Sequence, residues 1–330
     1  MNPSRRAALR TAGLALSSAV WPTADAQDVY VRHGRLLFGF APGAIGSTLG
    51  KEFTQLLASR HNPLFRLENI TAAGSMRSIE MTKRAPVDGR TLVQVQSSQV
   101  ALLPLVQREV PYDPLVDLVP VAMLSSYTWA FTVGPAVPAE IRSMADYLRW
   151  VAQNPEWRQF GATLFGSQGH LAGLMTARQQ GVALRPQTYA GTGPMVKDLL
   201  AQSLAAGYVI VGNAPESFAN GSLRALAVLG DQRWPSLPEV PTFKELGLHS
   251  IERPGWYAWY APAGTPAEVL DPIRAAVQVT LDSPECQSLL KRLQQQPADT
   301  RGAALVERLR GEQRYFGAIA RDLHIGALLG

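Results

Sequence analysis

One unit recurs along this chain and limits what it can become: a short apolar run, a turn of small residues, then an amphipathic helix. Its first copy spans Arg35 to Ser59, RLLFGFAPGAIGSTLGKEFTQLLAS. Leu36 to Phe40 predicts a buried strand, and Ala41-Pro42-Gly43-Ala44-Ile45-Gly46 predicts the turn. Ser47 or Thr48 can cap the helix that follows, whose Leu49, Phe53, Leu56 and Leu57 share one face. Such a junction aims backbone N–H groups and the positive end of a helix dipole at one point, which favours an anion. An ordinary strand-to-helix connection has the same pattern, so one copy decides nothing.

Further copies follow. A strand near Leu64 to Glu68 leads through Asn69 to Gly74 into a helix from Ser75 to Lys83. Asp88-Gly89 turns into a strand, Thr91 to Gln96, ending at Ser97-Ser98-Gln99. Pro111, Pro114 and Pro120 exclude continuous helix, so this segment reads as a connection to a strand over Val119 to Leu124. Ser125 to Val133 is aromatic and β-rich, and Met144, Tyr147, Leu148 and Val151 mark a new helix. A second lobe begins near here. It holds a strand around Phe160 to Phe165, the loop Gly166-Ser167-Gln168-Gly169-His170 opening a helix, and Tyr189-Ala190-Gly191-Thr192 opening another. Strands over Tyr208 to Val211 and Leu223 to Val228 precede a proline-rich stretch, Trp234 to Pro241, which reads as a crossing back to the first lobe. Trp256 to Ala261 gives a last strand before a helical end. The alternation argues for parallel α/β architecture, whose loops at the carboxyl ends of strands line one crevice.

At 330 residues and 46% hydrophobic content the chain can bury cores for two such lobes. Arg5, Arg6 and Arg10 against Asp25 give the first 26 residues +2 of the formal +5, and no basic run is interleaved with aromatics, so nucleic acid is not an expected partner. Residues 1–26 read as an export signal. Ser4-Arg5-Arg6 resembles a twin-arginine start, Thr11 to Val20 is modestly apolar, and Ala24-Asp25-Ala26 offers cleavage after Ala26, with Sec export still open because Ala8 replaces the usual bulky residue. That apolar segment is well short of the roughly 20 residues needed to span a bilayer, so the mature chain is expected free in the periplasm. The lone Cys286 leaves no internal disulfide.

Catalytic and metal signatures are absent. There is no G-x-S-x-G, H-E-x-x-H or G-x-x-x-x-G-K, and His33, His61, His170, His249 and His324 are scattered. Only Ser167 and His170 form a tempting pair, which hydrogen bonding to a ligand or helix capping explains as well as nucleophilic chemistry does. Trp234, Trp256 and Trp259 read as core or interlobe packing. Backbone N–H groups, hydroxyls and helix starts facing a cleft suit binding, with neutral donors holding a carboxylate.

In this order, Phe40-Ala41-Pro42-Gly43, Asp88-Gly89-Arg90-Thr91-Leu92, Pro111-Tyr112-Asp113-Pro114, His170-Leu171-Ala172-Gly173, Leu223 to Val228, Leu237 to Phe243 and Ala261 to Pro266 resemble the Bug-type solute-binding proteins of tripartite tricarboxylate transporters. The resemblance implies the type II periplasmic-binding-protein fold, two lobes each with a mainly parallel sheet flanked by helices, with lobe 1 over 27–126 and 251–330 and lobe 2 over 127–250. It implies a monomeric receptor for a small organic anion, without cofactor or metal, serving membrane transporter subunits. Its ligand loops fall on Ala41, Gly43, Ala44, Ile45, Gly46 and Ser47; on Ala73, Gly74 and Ser75; on Ser97, Ser98 and Gln99; on Ser167, Gln168, Gly169 and His170; and on Tyr189, Ala190, Gly191 and Thr192. Ala44 and Ser47 replace the family's glycine and aspartate, the Thr71-to-Gly74 loop is altered, and the strand end near Gly212 lacks the usual aspartate. Without an acid at Ser47 an amino-acid ligand is disfavoured, leaving carboxylates or aromatic acids, with Ile45 and Trp129 as apolar wall. A sensor subunit presenting its closed form to a signalling partner would look the same, and a Ser167–His170 hydrolase is the third reading.

Overall fold

A computed structural model describes residues 33–61, 65–72 and 75–325; the export signal expected over residues 1–26, with Ala73 and Gly74, lies outside them. The first sheet contains β1 (Gly34–Phe38), β2 (Phe65–Asn69), β3 (Thr91–Gln96), β4 (Leu118–Tyr127), β10 (Gly255–Pro262) and β11 (Gln296–Pro297), in the order β11-β4-β10-β3-β1-β2. The second contains β5 (Trp129–Val133), β6 (Gln159–Ala162), β7 (Arg185–Thr188), β8 (Ala206–Ile210) and β9 (Arg224–Val228), in the order β7-β6-β8-β5-β9.

Both sheets are mixed where the alternation of elements predicts mainly parallel ones. β1 pairs parallel with β2 and β3, and β6 parallel with β7 and β8, as the βαβ units require. β10 lies antiparallel to β3 and β4, and β5 antiparallel to β8 and β9. The reason is the crossing between lobes. β4 passes through the single residue Thr128 into β5, and β10 is the return strand, so β5 and β10 are inserted against the direction of the βα units. All of β3, β5, β8 and β10 is buried, which hides strand direction from periodicity.

Helices cover the sheets: α1 (Ile45–Arg60), α2 (Arg77–Lys83), α3 (Leu103–Val106), α4 (Met144–Gln153), α5 (Gln168–Gln180), α6 (Thr192–Leu200), α7 (Pro215–Ala219), α8 (Ala267–Leu281), α9 (Pro284–Arg292) and α10 (Ala304–Asp322). A π-helical turn, Ser98–Leu102, follows β3. Among the described residues no helix is long and apolar enough to cross a membrane. In α1, Leu49, Phe53 and Leu57 are fully buried, as their spacing predicts. Gly181, in the left-handed region at φ 62°, ends α5 where a residue with a side chain would be strained.

The proline-rich stretch stays with the second lobe. Val228 donates its N–H to the Pro241 carbonyl and accepts from Phe243 N–H, so residues 241–243 cover the open edge of β9. A proline can accept at such an edge although it cannot donate. Trp234, on this stretch, reaches the first lobe by donating Nε1–H to Gln294 O at 2.9 Å.

Aromatic rings run through the crossing: Phe38 to Tyr257 at 6.2 Å, Tyr257 to Tyr127 at 4.6 Å, and Tyr127 to Trp129 at 4.8 Å between centroids. Trp259 packs edge-on against Phe53 at 5.2 Å and donates to Gln94 Oε1 at 3.1 Å, while Gln94 Nε2 donates to Gly46 O at 2.6 Å. Core packing in the first lobe is thereby tied to the first turn of α1.

Candidate functional site

The loops singled out in the sequence lie at the carboxyl ends of β1, β3, β6 and β7 and at the starts of α1, α5 and α6. Ala41 and Gly43 are exposed, with Gly43 at φ 86°, and Ala44 is half-buried. Ala44 is the residue before α1 and supplies no side-chain cap. Three amides of the first turn nevertheless have acceptors in good geometry. Ile45 N–H donates to Asn213 Oδ1 of the second lobe at 2.9 Å. Ser47 and Thr48 both donate to Ala44 O. Gly46 sits where a Cβ would come 2.5 Å from Phe38 Cζ and from Tyr257 Cε1, so only glycine fits.

Ser47 faces elsewhere. Its Oγ accepts from Asn69 Nδ2 at 2.9 Å, and with Pro42, Gly43, Lys51 and Glu68 it lines a groove of about 1,060 Å³ between α1 and β2, to which no second-lobe loop contributes. Residues two apart on a helix point about 200° apart, so Ile45 and Ser47 cannot serve one ligand side by side.

Ser75 is held under Gly39: Gln99 Nε2 donates to Ser75 O at 2.9 Å, and Gln99 Oε1 accepts from Gln96 N–H at 2.8 Å. Gln99 therefore positions Ser75, with both its amide nitrogen and its oxygen engaged once within the first lobe. Ser97 Oγ accepts from Trp256 N–H at 3.3 Å, fixing the π-turn to the return strand. The hydroxyls of Ser75 and Ser98, both buried, have no partner in the protein.

In the second lobe Ser167 caps α5, its Oγ accepting from His170 N–H at 3.2 Å. Gly169 packs on Tyr208, where a Cβ would approach to 2.6 Å. Gln168 is fully buried with neither amide atom bonded. His170 accepts from Gly166 N–H at Nδ1, 3.2 Å, which places the ring proton on Nε2, and Nε2 has no partner. Burial holds this imidazole down to about 4, so it is neutral at pH 7 and presents one N–H donor. With Ser167 Oγ occupied by a backbone amide and His170 Nδ1 by another, no Ser–His general-base pair exists.

The neutral imidazole has a measurable consequence. Its folded value lies below the ordinary one, so its contribution to stability is complete above about pH 6.5 and is lost as pH falls toward about 4. Denaturant unfolding at pH 7 and pH 4 is expected to show the wild type losing roughly 3 kcal/mol more than His170→Gln. Equal losses would mean that His170 is not buried as a neutral ring.

Tyr189 turns inward. Its hydroxyl donates to Asp198 Oδ2 at 2.9 Å, and burial with that contact raises its pKa. Ala190 is exposed and Gly191 half-buried, and Thr192 Oγ1 accepts from Asn213 Nδ2 at 3.2 Å. Asn213 therefore joins the starts of α1 and α6. The sequence reading noted the aspartate missing beside Gly212 but not this asparagine; its only signal is a polar residue at the carboxyl end of β8. Trp129 adds a buried, unpartnered Nε1–H, and its Cδ1 would lie 3.6 Å from a Cβ at Gly169.

The two lobes are in contact in this structure. Gly166 lies against Val106, where a Cβ would come 2.6 Å from Cγ2, and Gly212 against Leu293 O, at 2.2 Å from a Cβ. Among the described residues no cluster of three or more His, Cys, Asp or Glu could hold a metal. Neutral donors without protein partners, hydroxyl, amide, imidazole and indole, are present in both lobes.

Known proteins share this sequence and architecture. The family TctC, tripartite tricarboxylate transporter family receptor, matches residues 62–322. BugT of Bordetella pertussis is 27% identical over 277 residues, 83% of this chain and 84% of its own. R. palustris Rpa4515, solved with adipate, has a TM-score of 0.82 at 24% identity over 92% of this chain and 98% of its own. MatC from Rhodopseudomonas palustris, solved with malate, has a TM-score of 0.80 at 22% identity over 88% of this chain and 99% of its own. The last two likenesses are of fold, and with the family match they account for the two-lobe architecture: the chain belongs to the TctC family, the receptors of tripartite tricarboxylate transporters.

Proposed function

We propose that this receptor binds a small organic anion, a carboxylate or aromatic acid, between its lobes in the periplasm and delivers it as a monomer to transporter membrane subunits. Residues 1–26 are its export signal, cleaved after Ala26, and the ligand sits between lobe 1 (27–126 and 251–330) and lobe 2 (127–250). One observation carries this reading: the buried groups of Ser75, Ser98, Gln168, His170 and Trp129 that lack protein partners occur in both lobes and include a neutral N–H or O–H donor on each residue. Leaving such groups unbonded costs about 1–3 kcal/mol each, which a carboxylate accepting from several of them would recover. Without a full positive charge among these donors, the anion is held by hydrogen bonds that release it when the lobes part.

Titration calorimetry and thermal-shift assays of the mature protein with adipate, malate, citrate and benzoate test the reading. At least one acid is expected to bind one-to-one and, at 100 times its Kd, to add about 2.7 kcal/mol of stability. No heat and no shift with any of them would refute it.

A further inference from the structure

Asn213 is placed unlike any other polar residue of the cleft. It ends the short turn Val211–Asn213 after β8, in the second lobe. Its Oδ1 accepts from Ile45 N–H, the first amide of α1 in the first lobe, at 2.9 Å, and its Nδ2 donates to Thr192 Oγ1, the first residue of α6, at 3.2 Å. An amide N–H can only donate, so the carboxamide has one orientation, oxygen toward α1 and nitrogen toward α6. Neither helix has a side-chain cap of its own, since Ala44 and Gly191 precede them. Asn213 thus acts as the N-cap of α1 from across the cleft.

The turn that carries it is seated with little freedom. A Cβ on Gly212 would come 2.2 Å from Leu293 O and 3.3 Å from Ile45 Cγ1, so the preceding residue must be glycine for the turn to approach the first lobe. Ser47 and Thr48 N–H are taken inside the first lobe by the Ala44 carbonyl. Ile45 N–H is the first-turn donor whose acceptor comes from the other lobe. An anion that binds Ile45 N–H at the positive end of α1 takes the place of the Asn213 oxygen.

From this geometry we propose that Asn213 is the specificity-determining latch of the cleft: its carboxamide oxygen holds the two lobes together at Ile45 N–H and is exchanged there for a carboxylate oxygen of the incoming acid. The proposal rests on the receptor reading above. Neutrality of the carboxamide is the essential property. A carboxylate at the same position would fill the α1 start with a fixed negative charge, stabilising the closed form and repelling an anionic ligand.

Two variants and two readouts separate the latch from the receptor reading. In the ligand-free protein, hydrogen exchange of the peptide containing Ile45 is expected to quicken at least 10-fold in Asn213→Ala relative to wild type. Unchanged exchange would overturn the latch whether or not any acid binds. With whichever acid of the panel binds the wild type, Asn213→Asp is expected to weaken binding at least 100-fold while raising the melting temperature, and Asn213→Ala to stay within about 10-fold of wild type. Wild-type affinity in Asn213→Asp would overturn the exchange of oxygens. Failure of the wild type to bind any acid would refute the receptor reading and leave the exchange measurement to decide the latch.

Discussion

Replacing Glu312 with alanine is expected to cost about 3 kcal/mol or more of folding stability, the largest loss of any single side chain considered for this protein. Glu312 is fully buried on α10. Both of its carboxylate oxygens accept from Trp256 Nε1–H at 2.9 Å, and Oε1 also accepts from Arg308 Nε at 3.1 Å. Burial raises its pKa against the pull of Arg308 and Trp256. Truncation leaves the Trp256 indole N–H without an acceptor, takes one partner from Arg308, which keeps Asp299, and opens a cavity. Glu312→Gln is expected to lose less, about 1 kcal/mol, because an amide oxygen still accepts from Trp256. Urea unfolding of the two variants measures both, and equal losses would show that the carboxylate charge, not packing or a neutral acceptor for Trp256, carries the stability. The effect reaches the site: Gln313 on the same helix donates to Val100 O at 3.0 Å and so holds the π-turn that carries Ser98.

Gln168→Leu is expected to act in the opposite sense on stability and more severely on function. In wild type the carboxamide is fully buried with both polar atoms unbonded, and a leucine of similar size removes that cost. The ligand-free variant is expected to be about 1–2 kcal/mol more stable and to melt a few degrees higher. It is also expected to lose much of the acid-induced thermal shift, because the Gln168 amide donor would be gone and His170 Nε2–H would be left as the unpartnered side-chain donor of the α5 start. A variant that is both less stable and fully competent in binding would show that Gln168 is an ordinary packed residue.

What the sequence revealed and what it hid follow from the range of the forces involved. Strand β3 lies on Thr91 to Gln96 as its apolar run and the Asp88-Gly89 turn predict, since local pattern and burial agree there. β1 begins and ends two residues earlier than the Leu36 to Phe40 run, because Gly39 turns away to let Ser75 O come close, at 2.4 Å from where a Cβ would stand. That approach is long-range and leaves no local pattern. Sheet direction was hidden for the same reason: β4, β5 and β10 are set by how the chain crosses between lobes.

At the site, residue types and spacing pointed to the loops but not to the direction of each side chain. Ile45 and Ser47 stand in one motif, yet one meets Asn213 across the cleft and the other Asn69 within its own lobe. Gln99 reads as a ligand donor by position, and its carboxamide also bonds Ser75 O and Gln96 N–H within the first lobe. Asn213 was invisible because its partner lies 168 residues away in the chain.

The central claim is that one organic acid touches loops of both lobes at once. Hydrogen exchange with mass spectrometry, comparing the protein with and without the acid that gives the largest thermal shift, tests it most directly. Protection is predicted in the peptides containing Ser97 to Gln99 and Ser167 to His170 together. Protection in one lobe only, or confined to the outer groove between α1 and β2, would contradict it.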